Sequence, residues 1–306
     1  MRLIESKAEY IPQEEGLEGI YKQIELAGRT AYNSQDKITP DSAKDFVDRM
    51  IKSHHGACLE HGTVYLIGRF SSKKELFEDE WAFKYIENPY TKTIRIPLDE
   101  NNRYNGPQLL YVTTNYRVLI ENGWLDDLKE PEDTNTVISY NPSEFHEKRY
   151  TMRFTCSRAI ANELVRHRTM SFLQESTRYI NYSKERHGGE ITFIIPSWNY
   201  KYNDNQFEGA EDWNPYMRAL NQAESSYFEM IDDGCTPQQA RDVLPNATKT
   251  ELIMTGFASD WRHVMDLRLF EKTGKVAPDM LDLMQKAQKS MQEAGIWEDI
   301  MRYEIL

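Results

Sequence analysis

Cysteine is scarce in this chain of 306 residues, and the three present, Cys58, Cys156 and Cys235, lie far apart. Three widely spaced cysteines make no disulfide framework, so we expect reduced thiols and a cytoplasmic protein. The chain also lacks any apolar run approaching the ~18 residues of a membrane-spanning helix. Its first residues, MRLIESKAEYIP, lack the apolar stretch of a signal peptide. We therefore expect no membrane partner.

Positive charge is also in short supply. The 37 lysines and arginines face 49 aspartates and glutamates, which gives a formal net charge of -12. A general nucleic-acid binder needs a broad basic surface, so the balance predicts no nucleic-acid partner. Hydrophobic residues make up 40% of the chain and charged residues 28%, which is typical of a globular protein with a sizeable core.

Helical spacing, capping residues and strand-like alternation predict a mixture of helices and strands. Thr39 with Pro40, Ser157, and Thr236 with Gln239 are the predicted helix starts. The predicted helices are LEGIYKQIELAGRTAY, TPDSAKDFVDRMIKSHHG, SRAIANELVRHR, WNPYMRALNQAESSYFEMIDDG, TPQQARDVLP, SDWRHVMDLRLF and PDMLDLMQKAQKSMQEAG. The predicted strands are TVYLIGRF, RYTMRFTC and ITFIIP. Because they do not alternate as regular βαβ units, we expect an α+β fold, with helices packed on a mixed or antiparallel sheet.

Residues 71–148 are harder to interpret. Two parts, ENPYTKTIRIPLDENNRYNGPQ and LKEPEDTNT, are rich in turn formers, and LLYVTTNYRVLIENG between them is compatible with a strand or a helix. We interpret the chain as a single domain over residues 1–306, with an elaboration at about 71–148.

Cations gather in one stretch of this acidic chain, RHRTMSFLQES at 166–176. From residue 153 to 186, seven lysines and arginines accompany three acidic residues, against the overall balance. Cations that complement a helix C-terminus are the ordinary explanation. A ligand site is favoured because Arg166 and Arg168 cannot share one helix face, and because Glu163 is spaced to orient Arg166 or His167. The hydroxyls and the arginine that follow suit a phosphate; they are Ser171, Ser176, Thr177 and Arg178.

A second arginine signal lies downstream in WRHVMDLR. Arg268 falls on the apolar stripe of its helix, at helical spacing from Trp261, Val264 and Met265. A buried guanidinium is rarely tolerated without a partner, whereas an arginine at a helix end often extends to solvent. Arg241 in QQARDVLP is a third, weaker candidate.

These segments together resemble the signature of the flavin-dependent thymidylate synthases. The resemblance rests on RHRTMSFLQESTRY, on ARDVLP at 240–245 and on the helix that carries Arg268, and it extends to HHGACLEH at 54–61 and AGRTAY at 27–32. It implies the fold of that family and the methylation of dUMP to dTMP. It further implies methylenetetrahydrofolate as carbon donor, FAD as hydride source, NADPH as reductant, and a homotetramer with sites at subunit interfaces.

The resemblance also implies residue roles. FAD would be held by His55, Arg166, His167, Arg168, Gln174 and His263. The dUMP would be held by Glu163, Arg166, Gln174, Ser176, Thr177, Arg178, Arg241 and Arg268. Arg268 is the catalytic candidate, because a guanidinium fixed beside the uracil ring stabilises the negative charge that makes C5 nucleophilic. Gln174 stands where many members carry glutamate.

Other readings of the same residues remain open. His54, Cys58 and His61 in HHGACLEH have helical spacing, but no fourth ligand is indicated, so we expect no metal. Ser176 has no neighbouring base and is interpreted as a phosphate-binding hydroxyl. The alternative function is a non-catalytic nucleotide- or RNA-binding module in which some of the 18 tyrosines stack on bases. Colour separates the two, because a flavoenzyme is yellow and bleaches with NADPH.

Overall fold

A computed structural model of the chain describes residues 1–103, 105–129, 136–138, 141–178, 180–183, 189–198 and 215–303. The strands are β1 Arg2–Ile4, β2 Lys7–Ile11, β3 Thr63–Phe70, β4 Lys92–Pro97, β5 Gln108–Asn115, β6 Thr136–Ile138, β7 Arg149–Ser157, β8 Ser171–Gln174, β9 Thr192–Ile194 and β10 Lys249–Phe257. The helices are α1 Gly16–Ala31, α2 Ser42–Lys52, α3 Gly56–Leu59, α4 Lys73–Glu78, α5 Glu80–Ile86, α6 Tyr116–Asn122, α7 Arg158–Leu164, α8 Pro215–Asp232, α9 Pro237–Ala240, α10 Ala258–Arg268, α11 Pro278–Glu293 and α12 Trp297–Met301. Short 3₁₀ turns cover Gln35–Lys37, Glu100–Asn102, Leu125–Leu128 and Arg241–Val243.

The first sheet is antiparallel and has the strand order β2-β7-β10-β8. Its middle strand β10 pairs along its full length with β7 and, on its other edge, with β8. Leu252, Ile253 and Met254 of β10 are all buried, so both faces of the sheet are covered. We confirm the α+β class predicted from the sequence.

Helices cover the first sheet on both faces. On one face α11 packs against β2, and α10 packs against β7, β10, α11 and α12. The predicted apolar stripe of α10 is confirmed, because Trp261, Val264 and Met265 are buried in this core. The Trp261 indole N–H donates to the carbonyl oxygen of Tyr150 at 2.9 Å, which ties α10 to β7. On the other face α1 packs against β8 and β10.

The second sheet is also antiparallel, with the order β4-β5-β3-β6. The segment 71–148 contributes β4, β5 and β6 of this sheet together with α4, α5 and α6. Its apolar side chains share a core with α1, α2 and β3; Ile24, Phe46, Leu66, Tyr85 and Val112 are among them. The segment is therefore packed into the body of the protein.

The segment LLYVTTNYRVLIENG, which was compatible with a strand or a helix, contains one of each, β5 followed by α6. Strand β5 runs into α6 at Asn115, whose side-chain oxygen accepts a hydrogen bond from the Val118 backbone N–H at 3.2 Å. This cap converts an extended chain into a helix in one residue. Gly123 ends the helix in the left-handed conformation, with φ of 72°.

Two helix starts agree with the sequence and one does not. The Ser157 hydroxyl caps α7 by accepting from the Ile160 N–H at 3.3 Å, as predicted. Gln239 returns its side chain to the Thr236 N–H at 2.9 Å, which confirms that capping box. The start at Thr39 is wrong, because α2 begins at Ser42. The Ser42 hydroxyl accepts from the Thr39 N–H at 2.9 Å and donates to Glu25 at 2.8 Å, which holds the preceding residues in a turn.

The first residues of the chain also differ from prediction. Two helices and a strand were expected up to residue 70, but β1 and β2 precede them. Strand β1 pairs in parallel with β9, and β2 forms the edge of the first sheet. Both strands are short, and their burial comes from distant partners. No helix in the described part of the chain is long and apolar enough to cross a bilayer.

Candidate functional site

The Arg-His-Arg stretch lies in a turn between α7 and β8. The sequence extended the helix through residue 168, but α7 ends at Leu164. The His167 N–H bonds to the Leu164 carbonyl at 3.1 Å, and the Met170 N–H bonds to the His167 carbonyl at 3.1 Å. This turn exposes Arg166 and Arg168 and buries His167 between them.

Arg268, at the end of α10, meets this turn. Its Nε donates to His167 Nε2 at 3.3 Å, and its Nη1 lies 3.3 Å from Glu163 Oε2. The spacing predicted that Glu163 orients Arg166 or His167, and this prediction is wrong. The Glu163 carboxylate contacts Arg268, an arginine of another helix. Three predicted site residues, Glu163, His167 and Arg268, form one contact group.

The arrangement fixes the protonation of His167. Burial, the positive charge of Arg268 and the neighbouring His263 together lower the pKa of His167 to about 4. The imidazole is therefore neutral at neutral pH. Because a guanidinium has no acceptor, the His167 Nε2 that receives Arg268 must carry no proton, and the proton resides on Nδ1.

The two other predicted histidines lie apart from this contact group. The His263 ring is exposed, and its centroid lies 6.4 Å from that of His167, edge to face. His55 is exposed too, and its Nδ1 is 2.7 Å from the Tyr32 hydroxyl. Within the described residues, no hydrogen bond joins His55 to Arg268 or His167.

A second contact group surrounds Thr177. Arg158 Nη1 and Arg241 Nη1 each donate to the Thr177 hydroxyl at 3.5 Å. Neither arginine forms an ion pair with a carboxylate in the described part of the chain. Two guanidinium groups on one hydroxyl, without a counter-charge, make a site for an anion. Arg158 was missed in the sequence. Arg158 could have been recognised because it is a cation in the first turn of α7, where the helix dipole disfavours positive charge.

The rest of the predicted nucleotide loop runs beside this group. The Ser176 N–H bonds to the Ala31 carbonyl at 3.1 Å, which anchors the loop to the AGRTAY segment of α1. The Ser176 hydroxyl accepts from the Arg178 N–H at 3.4 Å, and the Arg178 side chain is exposed. Gln174 closes β8 and donates to the Thr250 hydroxyl of β10 at 3.4 Å.

Arg168 lines a cavity of about 460 Å³ between the two sheets. We call it the inter-sheet cavity. One wall comes from the second sheet and its neighbours, the other from β7, β8, β10 and the turn before β8. The lining of the cavity includes Glu60, Tyr90, Lys92, Arg117, Arg149, Arg168, Phe257 and Asp260. Lys92, Arg117 and Arg149 were not singled out from the sequence, because only the tertiary fold brings them beside Arg168.

Cys58 and His61 of the HHGACLEH segment are used for packing. His61 is fully buried, its Nδ1 lies 2.8 Å from the Thr255 hydroxyl, and burial lowers its pKa to about 3. Burial raises the pKa of the Cys58 thiol to about 11, so it is not a thiolate at neutral pH. Over the residues that the structure describes, no three His, Cys, Asp or Glu side chains cluster to hold a metal ion.

A family model described as "Thymidylate synthase complementing protein" matches residues 128–301. Proteins named flavin-dependent thymidylate synthase are similar in sequence. The Pyrococcus furiosus protein is 35% identical over 135 residues, covering 43% of this chain and 52% of that protein. The Pyrococcus abyssi protein is 30% identical over 138 residues, with coverages of 44% and 53%. The Pyrococcus horikoshii protein is 30% identical over 180 residues, with coverages of 55% and 70%.

The chain thus spans about half the length of the first two relatives. Among solved structures, a UMP/dUMP methylase PolB from Streptomyces cacaoi bound with 5-Br dUMP aligns over 99% of this chain and 97% of its own. The identity is 14% and the TM-score 0.43, which is too low to establish a shared fold.

Proposed function

The chain belongs to the thymidylate synthase complementing protein family, and from this we propose that it is a flavin-dependent thymidylate synthase. The proposed reaction is the reductive methylation of dUMP to dTMP. Methylenetetrahydrofolate is the proposed carbon donor, FAD the cofactor and NADPH the reductant.

The contact between Arg268 and the Arg-His-Arg turn carries this proposal. Arg268 uses Nε toward His167 and Nη1 toward Glu163. Its Nη2 has no partner within the described residues, so one end of a held guanidinium is available to a ligand. A guanidinium that is already positioned stabilises charge without reorganising during the reaction.

We assign Arg268 the role of stabilising the pyrimidine ring. Uracil C5 is a poor nucleophile, and it becomes more reactive as negative charge develops at N3 and the ring carbonyls. Arg268 keeps its own proton and donates to planar acceptors, so it favours that charge. His167 and Glu163 act as positioning residues for Arg268.

The group around Thr177 is the proposed phosphate site. Arg158, Arg241 and Arg178 supply positive charge, and Thr177 and Ser176 supply hydroxyls. A phosphate monoester carries close to two negative charges at neutral pH and accepts several hydrogen bonds. Bound there, it would neutralise the two guanidinium groups that now share one hydroxyl.

A flavin fits the residues around the turn, and when bound it would supply the reducing hydride. Arg166 and Arg168 are exposed cations, and the His263 ring lies edge to face with the His167 ring. The proposed holders are His55, Arg166, His167, Arg168, Gln174 and His263. These residues do not form one contact group within a single chain, among those described. A homotetramer with sites at subunit interfaces would unite them, and we propose that assembly.

The absorbance spectrum of the purified protein tests the proposal. A flavin-dependent synthase is yellow, bleaches with NADPH, and releases tritium from [5-³H]dUMP when methylenetetrahydrofolate is present. A colourless protein that binds dUMP but releases no tritium after FAD is added would establish the alternative, a nucleotide-binding module.

A further inference from the structure

A buried carboxylate lies where the phosphate loop, residues 176–178, leaves the first sheet. Strand β8 ends at Gln174, which is opposite Leu252 of β10. One residue later Glu175 extends the pairing, because its backbone N–H donates to the Glu251 carbonyl at 2.8 Å. Only 7% of the Glu175 surface is exposed. Its charged side chain therefore lies inside the protein, directly before the residues proposed to hold the phosphate.

The Glu175 side chain takes the place of a backbone acceptor. In a hydrogen-bonded antiparallel pair, two opposite residues exchange bonds between their backbone N–H and carbonyl groups. Here the Glu251 N–H donates to Glu175 Oε2 at 3.2 Å. The next backbone N–H, that of Ser176, donates to the Ala31 carbonyl of α1 at 3.1 Å and not to the sheet. The carboxylate thus completes the pairing at the residue where the main chain departs.

Lys249 holds this carboxylate and shares its charge with a second one. Lys249 Nζ lies 3.1 Å from Glu175 Oε2 and 3.1 Å from Glu251 Oε1. The Gln35 side-chain amide donates to the other oxygen of Glu251 at 3.2 Å. Burial raises the pKa of the Glu175 carboxyl, and the positive charge of Lys249 acts against that rise. Removing Lys249 would leave a buried carboxylate uncompensated, which is strongly unfavourable.

The loop that begins at Glu175 contains the central hydroxyl of the phosphate site. Thr177 is buried, and its hydroxyl accepts from Arg158 and Arg241 at 3.5 Å each. Among the described residues, no hydrogen bond joins Glu175 to either arginine. Because Thr177 follows Glu175 by two residues, a shift of the carboxylate would move the hydroxyl relative to both guanidinium groups. Glu175 can therefore affect an anion at this site only through the position of the loop.

We propose that Glu175, held by Lys249, is a positioning residue that sets the place of the phosphate loop. Its carboxylate fixes the end of the sheet, so the Thr177 hydroxyl is in place before an anion binds. A site that is ordered in advance loses less conformational freedom on binding and binds more tightly. The identity of the anion as the dUMP phosphate rests on the proposed function, whereas the placement of the loop does not.

Three variants of the full chain and one control test this role. Lys249→Met leaves the Glu175 carboxylate buried without its counter-charge. Glu175→Gln keeps an oxygen for the Glu251 N–H and removes the charge. The double variant combines both changes and leaves a neutral, hydrogen-bonded side chain. Lys286→Met is the matched control, because it removes a lysine paired with Asp282 at 2.7 Å on α11, which packs against β2 at the opposite edge of the sheet.

Amide hydrogen exchange at 176–178, followed by mass spectrometry without ligand, reports the position of the loop. Lys249→Met should exchange about tenfold faster than the wild type, since a hydrogen bond to a charged group is lost. Glu175→Gln and the double variant should stay close to the wild-type rate, because neither contains an unpaired buried charge. Equal exchange in Lys249→Met and the wild type would overturn the proposal, as would a double variant that exchanges as fast as Lys249→Met.

Calorimetric titration with dUMP and with FAD measures the effect on ligands. Lys249→Met should raise the Kd for dUMP by about tenfold and leave the Kd for FAD unchanged, because only the phosphate loop has moved. The double variant should recover most of the affinity for dUMP, and Lys286→Met should bind both ligands as the wild type does. Equal weakening of dUMP and FAD would indicate a general loss of structure and would refute the positioning role.

The failure of the proposed function would be visible separately. A wild-type protein that binds no dUMP would end the assignment of the phosphate site. Exchange at 176–178 needs no ligand, so it would still decide whether Glu175 and Lys249 set the position of the loop.

Discussion

Arg268 Nε donates to His167 Nε2 at 3.3 Å, although 101 residues separate the two side chains in sequence. The contact requires an unprotonated Nε2, and burial meets this requirement by lowering the pKa of His167 to about 4. The guanidinium is thus held by a neutral ring on one side and by the Glu163 carboxylate on the other. The positive charge of Arg268 itself helps to keep the His167 ring neutral.

Replacing Arg268 tests its proposed role directly. Arg268→Ala should lower kcat by at least about 10²-fold, the loss typical for a preorganised donor to developing charge. Bound flavin, measured by its absorbance, should remain nearly stoichiometric. Lys275→Ala removes an exposed cation from the loop after α10 and serves as the control. Near-normal turnover of Arg268→Ala would exclude the ring-stabilising role.

The phosphate site predicts an effect on substrate affinity. Arg158→Gln should raise the KM for dUMP by about tenfold or more and change kcat much less, because a charge-assisted hydrogen bond to bound substrate is lost. Arg178→Ala should act in the same direction. The control is Arg153→Gln, which removes a β7 arginine paired with Glu9 at 2.9 Å. A KM that stays constant in both arginine variants would contradict the phosphate assignment.

The buried His61 predicts sensitivity to acid. Its pKa falls from an ordinary 6.5 to about 3 on folding, so the unfolded chain binds more protons between these values. Stability must therefore decrease as pH falls below about 6.5, and His61 contributes a loss of about 2 kcal/mol between pH 7 and pH 5. Urea unfolding at the two pH values measures it. His61→Asn should unfold more readily at pH 7 but with a smaller difference between the two pH values; an equal difference would refute the assignment.

Gly256 predicts a packing constraint beneath the Arg-His-Arg turn. A Cβ at this β10 position would overlap the thioether of Met170, which is buried directly after the turn. Gly256→Ala should destabilise the protein by about 1 kcal/mol, the low end of overpacking, because the overlapping thioether is the flexible end of its side chain, and it should reduce turnover by shifting the turn. Met170→Ala should cost less stability and less turnover in the Gly256→Ala background than in the wild type, because the two side chains compete for the same space. Melting temperature and kcat measured on the single and double variants check the coupling, which additive losses would disprove.

Local signals in the sequence predicted the elements that carry the site. The cap at Ser157, the capping box at Thr236 and the apolar stripe through Trp261 depend on residues close in sequence, so they could be recognised. The contact between Arg268 and Glu163 could not be predicted from the sequence, because residue spacing indicates only partners on the same helix. Its tertiary partner is fixed because α10 and α7 both pack against β7 and β10.

Arg149 and Lys92 were missed for the same reason, because their neighbours are distant in sequence. Arg149 looks like an ordinary polar position in an alternating strand, and Lys92 like one in a turn-rich segment. They become conspicuous only when the two sheets meet around the inter-sheet cavity. Strands β1 and β2 were missed because short edge strands acquire their burial from distant partners.

Strand β10 lies between two neighbours and continues into α10, at whose end Arg268 sits. Amide protons on such an interior strand exchange with solvent only through the costliest openings of a protein. We therefore expect β10, which leads into the helix that carries Arg268, to be among the segments most protected from exchange. We expect the opposing wall of the cavity to open more readily than this strand, so deuterium uptake should be faster in the wall than in β10.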